Sequence, residues 1–323
     1  MMARPDLTDI RAAHERIRPY IHRTPVITCE ALDRLIGARL YFKCENVQKA
    51  GAFKARGACN AVFSLSDDEA RRGVLTHSSG NHAGALARAA KLRGVEAHIV
   101  MPTNSRQVKI DAVRTYGGKI TFCEPTLAGR EQTAEHVQRD TGAVMIHPYD
   151  DVRIIAGQGT ASVEFLEQMP DLDILMAPVG GGGLLSGTLI AAKALEHHIK
   201  VWAGEPRLAN DAYRGWKAGR RMPAERTDTI ADGLRTSLGE LTFPIISDLV
   251  DDILLAGEAA IIEATRLLIQ RAKTVVEPSS AVPLAALLEN HPEIQGKNVG
   301  IILSGGNLDL DDLPWIRTAD ERM

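Results

Sequence analysis

Lys54 is the residue in this sequence best placed for covalent chemistry. It stands in Gly51-Ala52-Phe53-Lys54-Ala55-Arg56-Gly57-Ala58, a segment that opens a helix expected to run towards Leu65. At about 100° per residue, Lys54 shares a face with Gly57, Ala58, Ala61 and Leu65, whereas Arg56 points to roughly the opposite side. A lysine among small and apolar residues is desolvated, which lowers its pKa and favours the neutral amine. Neutral amines are the form that makes Schiff bases. The segment taken alone fits a simpler reading better, with a buried stem and a head that snorkels to water.

Three loops carry further chemistry. His77-Ser78-Ser79-Gly80-Asn81-His82 lies between a strand pattern and a helix pattern. Its hydroxyls, amide and backbone N–H groups converge where a helix start attracts a carboxylate, although simple N-capping by Ser79 or Asn81 would use the same residue types. The second loop, Pro178-Val179-Gly180-Gly181-Gly182-Gly183-Leu184-Leu185-Ser186-Gly187, has four consecutive glycines between strand and helix. A tight turn needs one or two; four let several backbone N–H groups approach one phosphate. A dinucleotide fingerprint is weakened because its last glycine falls on Leu185 or Ser186, and no Lys-Ser/Thr follows to make a P-loop. The third loop, Leu303-Ser304-Gly305-Gly306-Asn307, ends the last strand. A serine there can hydrogen-bond a ring nitrogen without supplying a charge, although the same residues also make an ordinary glycine-rich turn.

These loops need a frame that brings them together. Candidate strands are Leu40–Cys44, Val74–His77, Ala97–Val100, Lys119–Cys123, Val144–His147, Ile174–Val179, Lys200–Gly204 and Gly300–Leu303. They are short and apolar, as for parallel strands buried on both faces. Candidate helices between them include Asn81–Arg93, Arg130–Asp140, Leu184–His197 and Glu258–Lys273. The alternation predicts an α/β chain with parallel sheets, whose ligands would sit outside the carboxyl ends of the strands. The block from about Arg72 to Tyr149 holds four strand–helix units and is expected to form a small domain of residues 72–149. Residues 1–71 and 150–323 would form the larger one.

The 323 residues, 24% charged and 45% hydrophobic, suffice for a core without staples and exclude disorder, collagen and coiled coil. A net charge of −3 and the lack of a Lys/Arg cluster leave no nucleic-acid footprint. Cys29, Cys44, Cys59 and Cys123 form no Cys-x-x-Cys pair and read as small hydrophobes in a reducing compartment. The uncharged stretch Ile174–Ala192 approaches a membrane span in length, but Pro178 and the glycines in its middle make it strand, loop and helix. No apolar segment follows Met1, so a soluble, cytoplasmic protein without membrane partners is expected.

Together, Gly-x-Phe-Lys-x-Arg-Gly-Ala, Ser-Ser-Gly-Asn-His, the tetraglycine loop and the terminal Ser-Gly-Gly-Asn resemble one family. It is the pyridoxal-phosphate enzymes of fold type II (the tryptophan synthase β-like architecture), in their threonine/serine dehydratase and serine racemase branch. The resemblance runs from His22-Arg23-Thr24-Pro25 to Ser304-Gly305-Gly306-Asn307. It implies that Lys54 carries pyridoxal 5'-phosphate and acts as base on one face of the substrate, with Phe53 flanking the cofactor and Asn81 on its ring hydroxyl. Gly180, Gly181, Gly182, Gly183 and Leu184 would hold the phosphate, and Ser304 would meet the pyridine nitrogen. Ser79 would be the acid/base on the second face. Ser78, Ser79, Asn81 and His82 would hold the substrate carboxylate, with Arg130 nearby. Glu205-Pro206-Arg207-Leu208-Ala209-Asn210-Asp211 resembles the family's divalent-metal loop. Glu205, Asp211 and the Ala209 carbonyl would suit magnesium, calcium or manganese as hard cations; without the resemblance, a solvated loop would be the better reading.

Two departures from the pattern matter. Ala52 stands where many relatives have serine, and Arg207 replaces a small polar residue in the metal loop. With only a short acidic tail after Asn307, no C-terminal regulatory domain is expected, and a catabolic, single-module enzyme is the expectation. The resemblance thus implies an ammonia-lyase (dehydratase) acting on threonine, serine or 3-hydroxyaspartate, with a lean to 3-hydroxyaspartate from Gly-Ala-Phe-Lys and Cys44-Glu45-Asn46. An amino-acid racemase with side β-elimination is the alternative, and a nucleotide-binding protein resting on the glycine loop is a distant third. A homodimer is the assembly implied.

Overall fold

The computed structural model describes residues 4–78, 80–105, 107–290, 293–313 and 315. Its strands are β1 (Val26–Thr28), β2 (Arg39–Cys44), β3 (Val74–His77), β4 (Ala97–Pro102), β5 (Lys119–Cys123), β6 (Val144–Met145), β7 (Ile174–Pro178), β8 (Lys200–Pro206), β9 (Asp252–Ala256) and β10 (Asn298–Leu303). The helices preceding β7 are α1 (Leu7–Ile17), α2 (Glu30–Ile36), α3 (Lys54–Phe63), α4 (Asp67–Arg71), α5 (Asn81–Arg93), α6 (Gln107–Thr115), α7 (Leu127–Thr141) and α8 (Val152–Gln168). After β7 come α9 (Gly183–Leu195), α10 (Asp211–Ala218), α11 (Thr242–Leu249), α12 (Glu258–Gln270) and α13 (Pro278–Asn290).

The strands make two sheets. One has the order β1-β2-β10-β7-β8-β9 and is parallel except for β1, and the other is the wholly parallel β5-β4-β3-β6. The mixed α/β class expected from the alternating pattern is what the chain adopts. The larger sheet buries one face under α2, α12 and α13, with Leu40, Phe42, Met176, Ile301, Leu268 and Leu284 in contact, and the other under α8–α11. The smaller sheet is covered by α5 and α6 on one side and α7 on the other. Both faces are therefore apolar, as continuous Val/Ile-rich strands require.

All eight expected strands exist, with ends shifted by up to two residues. Two further strands escaped the pattern: β1 is three residues long on a sheet edge, and β9 starts within the acidic pair Asp251-Asp252. The Val144–His147 pattern gives only the two-residue β6, because His147 leaves the ladder and its ring accepts from backbone amides instead. The uncharged Ile174–Ala192 stretch is β7, a glycine loop and α9; no helix among the described residues is long and apolar enough to cross a membrane.

Arg56 lies away from Lys54, as its place on the helical wheel implies, and it is fully buried. Its guanidinium donates to Glu45 at 2.7 and 2.8 Å and to both oxygens of Glu164 at 2.8 Å. Lys43, equally buried, donates to Glu164 at 2.9 Å and to the Thr24 carbonyl at 2.9 Å, while the Thr24 hydroxyl donates to Glu45 at 2.6 Å. Two cations thus neutralise two carboxylates inside the protein, tying α3 to β2 and α8. On the same interface, α3 and α8 touch backbone to backbone, since a Cβ on Gly157 would lie 2.5 Å from the Gly57 Cα.

Breaking a buried pair from one side leaves an uncompensated charge, so Arg56→Leu should lower unfolding stability by about 3–5 kcal/mol, measured by urea denaturation at pH 7. Burial alone would raise the Glu164 carboxyl, but Arg56 and Lys43 overturn it and hold it at about 2. Its contribution is therefore full above the unfolded carboxyl's value and fades as pH falls towards 2. In Arg56→Leu that acid dependence should shrink.

Candidate active site

The elements meet at one cleft between the two sheets, where β3, β7 and β10 all deliver loops from their carboxyl ends. The cavity there is lined by Phe53, Lys54, Ser78, Asn81, His82, Arg130, Gly180–Gly183, Leu184 and Ser304. Residues spread over about 250 positions of sequence thus share one wall system. Ser79 lies outside the described residues. Glu205, Ala209 and Asp211 are buried outside this cavity, at the end of β8 and the start of α10.

Lys54 begins α3 and donates from Nζ to the Pro148 carbonyl at 2.7 Å. Burial lowers its pKa to about 8, against a weaker opposing pull from the Glu277 carboxylate. The amine is thus available in its neutral form near physiological pH, as the helical face of small residues suggested. Its Nζ stands 5.1 Å from the Phe53 ring centroid.

The glycine loop offers a row of free donors. Among the described residues, the backbone N–H groups of Gly181, Gly182, Gly183 and Leu184 have no acceptor, and the first intrahelical bond of α9 is Ser186 N–H to Gly182 O. Thr242 donates to the Gly181 carbonyl at 2.8 Å and fixes its orientation. Unpaired amides at a helix N-terminus suit a phosphate group. Not every glycine is there for that reason. A Cβ on Gly181 would lie 2.3 Å from the Tyr149 ring, so this position is set by an aromatic neighbour.

At the start of α5, Asn81 donates to Glu277 at 2.7 Å and accepts from Asn307 at 3.0 Å, which locks its amide. His82 is buried with both ring nitrogens unpartnered, and burial, helped by Lys54, pushes its pKa well below the ordinary value. A neutral imidazole there keeps a donor for a ligand. Ser78 lines the cavity and accepts from Gly80 N–H at 3.3 Å. Ser304, at the end of β10, is buried with its hydroxyl 3.1 Å from that of Ser280. These donors, the free amides and the lysine fit pyridoxal phosphate: an amine for its carbonyl carbon, amides for its phosphate and a hydroxyl for its ring.

Several site residues were not found by sequence reasoning. The segment His147-Pro148-Tyr149-Asp150 connects β6 to α8 along the cleft. His147 accepts from Asp150 N–H at 2.9 Å, Pro148 accepts from Lys54, Tyr149 contacts Gly181 and lies 3.0 Å from the Thr236 hydroxyl, and Asp150 caps α11. Burial, with His77 next to it, lowers His147 to about 4, so it is neutral. Glu277 is buried on the cavity wall, and burial raises it to about 7, with Lys109 pulling the other way. The available signal was a lone glutamate between Val276 and Pro278 in an apolar stretch. Lys109 of α6 pairs with Asp232 across the cleft, a contact with no local sequence mark.

Glu205 accepts from the Ala212 and Tyr213 amides at 2.8 Å, and Asp211 accepts from Leu238 N–H at 2.9 Å while its Oδ1 is buried without a partner. Burial raises both carboxyls, Asp211 to about 6, and Asp211 adds to the rise at Glu205. Among the described residues, no group of three or more His, Cys, Asp or Glu gathers around a metal-sized space.

Residues 17–305 match the family described as pyridoxal-phosphate dependent enzyme, and the chain belongs to it. It is 51% identical to a serine racemase of Arabidopsis thaliana over 313 residues, covering 95% of each chain. It is 50% identical over 311 residues to a beta-hydroxyaspartate dehydratase of Paracoccus denitrificans, covering 96% of this chain and 99% of the relative. The structure of maize serine racemase superimposes with a TM-score of 0.94 at 46% identity, covering 96% of each chain.

A methyl group at Gly181 would collide with Tyr149 and displace the amide row. Gly181→Ala should therefore weaken pyridoxal phosphate binding by about tenfold or more, a loss of about 1.4 kcal/mol. Equilibrium titration of the apoprotein by fluorescence measures it.

Proposed function

We propose that this enzyme is an ammonia-lyase (dehydratase) converting a β-hydroxy amino acid to a 2-oxo acid and ammonia. The observation that carries the reading is the Lys54 amine, lowered to about 8 and held 2.7 Å from the Pro148 carbonyl, in one cavity with the free amides of the glycine loop. Pyridoxal phosphate, when bound, supplies the electron sink that makes the α-proton acidic. Lys54 Nζ takes that proton, as a neutral amine of suitable pKa can. The amides of Gly181–Leu184, with Gly180, hold the phosphate; Phe53 flanks the ring, Asn81 meets the ring hydroxyl and Ser304 the ring nitrogen. Ser78, Ser79, Asn81 and His82 hold the α-carboxylate at the start of α5. Loss of the proton from Cα and of hydroxide from Cβ amounts to loss of water, and hydrolysis then gives ammonia and the 2-oxo acid.

Among threonine, serine and 3-hydroxyaspartate, the cavity favours the last. Arg130 and Arg235 both line it; they donate to the Thr126 and Thr229 carbonyls at 3.3 and 2.8 Å and form no salt bridge with a carboxylate of the described residues. They suit a second carboxylate. The relative named beta-hydroxyaspartate dehydratase supports the same substrate class. A racemase is the second reading, supported by the relatives named serine racemase, with Ser79 as acid/base on the face opposite Lys54. We place a divalent cation (magnesium, calcium or manganese) at Glu205, Asp211 and the Ala209 carbonyl, where two buried carboxyls stand with no salt-bridge partner among the described residues and only Arg214 as a weaker counter-charge nearby. The division into residues 1–71 with 150–323, and 72–149, follows the two sheets, and a homodimer in the cytoplasm completes the proposal.

Oxo-acid release should be fastest with one 3-hydroxyaspartate stereoisomer in a panel that includes L- and D-serine and L-threonine, and absent in Lys54→Ala. Inversion at Cα with nitrogen retained, and no oxo acid from any substrate, would give the racemase reading the site. Magnesium at a hundred times its Kd should stabilise the fold by about 2.7 kcal/mol. In Asp211→Ala, denaturation curves with magnesium and with chelator should coincide.

A further inference from the structure

Four glycines in a row let amides approach an anion, but they also leave the peptide planes between them free to turn over. A plane flanked by glycine on both sides flips by compensating rotations of ψ and φ, because neither neighbour has a Cβ to oppose it. In a planar trans peptide, the C=O of one residue and the N–H of the next point opposite ways, so each amide of the row is aimed by the carbonyl before it. The Gly183 N–H is aimed by the Gly182 carbonyl, which accepts from Ser186 N–H at 2.8 Å as α9 begins. The Leu184 N–H is aimed by the carbonyl of Gly183, the first residue of α9. The peptide joining Gly181 to Gly182 lies outside the helix. Among the described residues, its carbonyl has one partner, the Thr242 hydroxyl at 2.8 Å.

Thr242 is built to hold that carbonyl. It is fully buried in the first turn of α11, and its hydroxyl accepts from Gly239 N–H at 2.8 Å, which leaves its proton for Gly181. Asp150 fixes the backbone around it, accepting from the amides of Glu240, Leu241 and Thr242 at 2.9, 2.9 and 3.2 Å. The loop lies directly on this helix. Gly182 has a φ of +88°, and a Cβ there would stand 2.8 Å from the Thr242 Cβ and 2.7 Å from the Leu238 side chain. Thr242 stands behind the cavity wall, whereas Gly180, Gly181, Gly182 and Gly183 form it. With the Gly181 carbonyl drawn back towards α11, the Gly182 N–H faces the cavity.

We infer that Thr242 is a positioning residue for the cofactor's phosphate: by holding the Gly181 carbonyl it keeps the Gly182 amide aimed at the anion, without touching the cofactor. This rests on the placement of the phosphate at the glycine loop proposed above. Without the hydroxyl, the buried Gly181 carbonyl and Gly239 amide both lose their partner. Turning the peptide over then points a carbonyl at the phosphate, so that repulsion replaces a charge-assisted hydrogen bond.

The test separates the phosphate from the rest of the cofactor. The full-length chain, freed of cofactor, is titrated with pyridoxal phosphate and with pyridoxal, which has the same carbonyl and ring and no phosphate; Schiff-base absorbance reports both. Thr242→Val removes the hydroxyl and keeps the shape. It should raise the Kd for pyridoxal phosphate by about tenfold, the worth of one hydrogen bond to a charged group, and leave that for pyridoxal unchanged. Thr242→Ser keeps the hydroxyl and should keep the wild-type preference for the phosphorylated ligand. In the holoenzyme, the 31P resonance of the bound phosphate should move in Thr242→Val and stay in Thr242→Ser. If Thr242→Val does not accumulate as folded protein, Thr242→Cys, a weaker donor of similar size, makes the same comparison. Equal weakening of both ligands would mean that the substitution only loosened α11, and the inference falls. It falls as well if neither ligand is weakened, or if Thr242→Ser behaves as Thr242→Val does. A wild type that binds pyridoxal as tightly as pyridoxal phosphate removes the phosphate from the glycine loop, which overturns the placement itself.

Discussion

The site depends on one buried contact that is not part of it: the clamp of Arg56 between Glu45 and Glu164. A helix can slide or roll about its axis at small cost when only apolar side chains hold it. A guanidinium shared by two carboxylates from β2's end and from α8 leaves α3 one rotation, because any other strands charges in a medium that cannot solvate them. Two residues earlier on the same helix, that rotation aims Lys54 at the cleft. The clamp is electrically neutral, with Lys43 balancing the second carboxylate, which is what lets four ionic groups sit in the interior.

The cleft itself is built by the chain crossing from one sheet to the other. Between β6 and α8, four consecutive residues each make a different contact with the site. His147 folds its ring onto its own backbone, Pro148 holds the lysine, Tyr149 lies over the glycine loop and Asp150 caps α11. Short as it is, this segment couples the position of the amine to that of the phosphate-binding amides. The Lys109–Asp232 pair closes the other side.

Much of the site was legible because its residues carry local signatures. A lysine on a face of small residues, a run of four glycines and polar residues at a helix start each demand an explanation within about ten residues of sequence. What was not legible shares a different property. Arg56, Glu277, Tyr149 and Ser280 are ordinary residues locally, and their meaning comes from partners far away: Glu164, Asn81, Gly181 and Ser304. The glycine loop shows both sides of this. Its anion-binding character could be read from four glycines in a row, but the reason that Gly181 tolerates no side chain is a tyrosine brought against it by the fold.

By itself, the sequence determined the α/β class, the order of the loops along the chain and the family, since strand periodicity and helix starts are set by near neighbours and the four motifs occur together. Only the tertiary structure decided which charges are buried, which amine is desolvated and which hydroxyls meet. Those properties are functions of dielectric and distance, and both are created when segments far apart in sequence exclude water from one another.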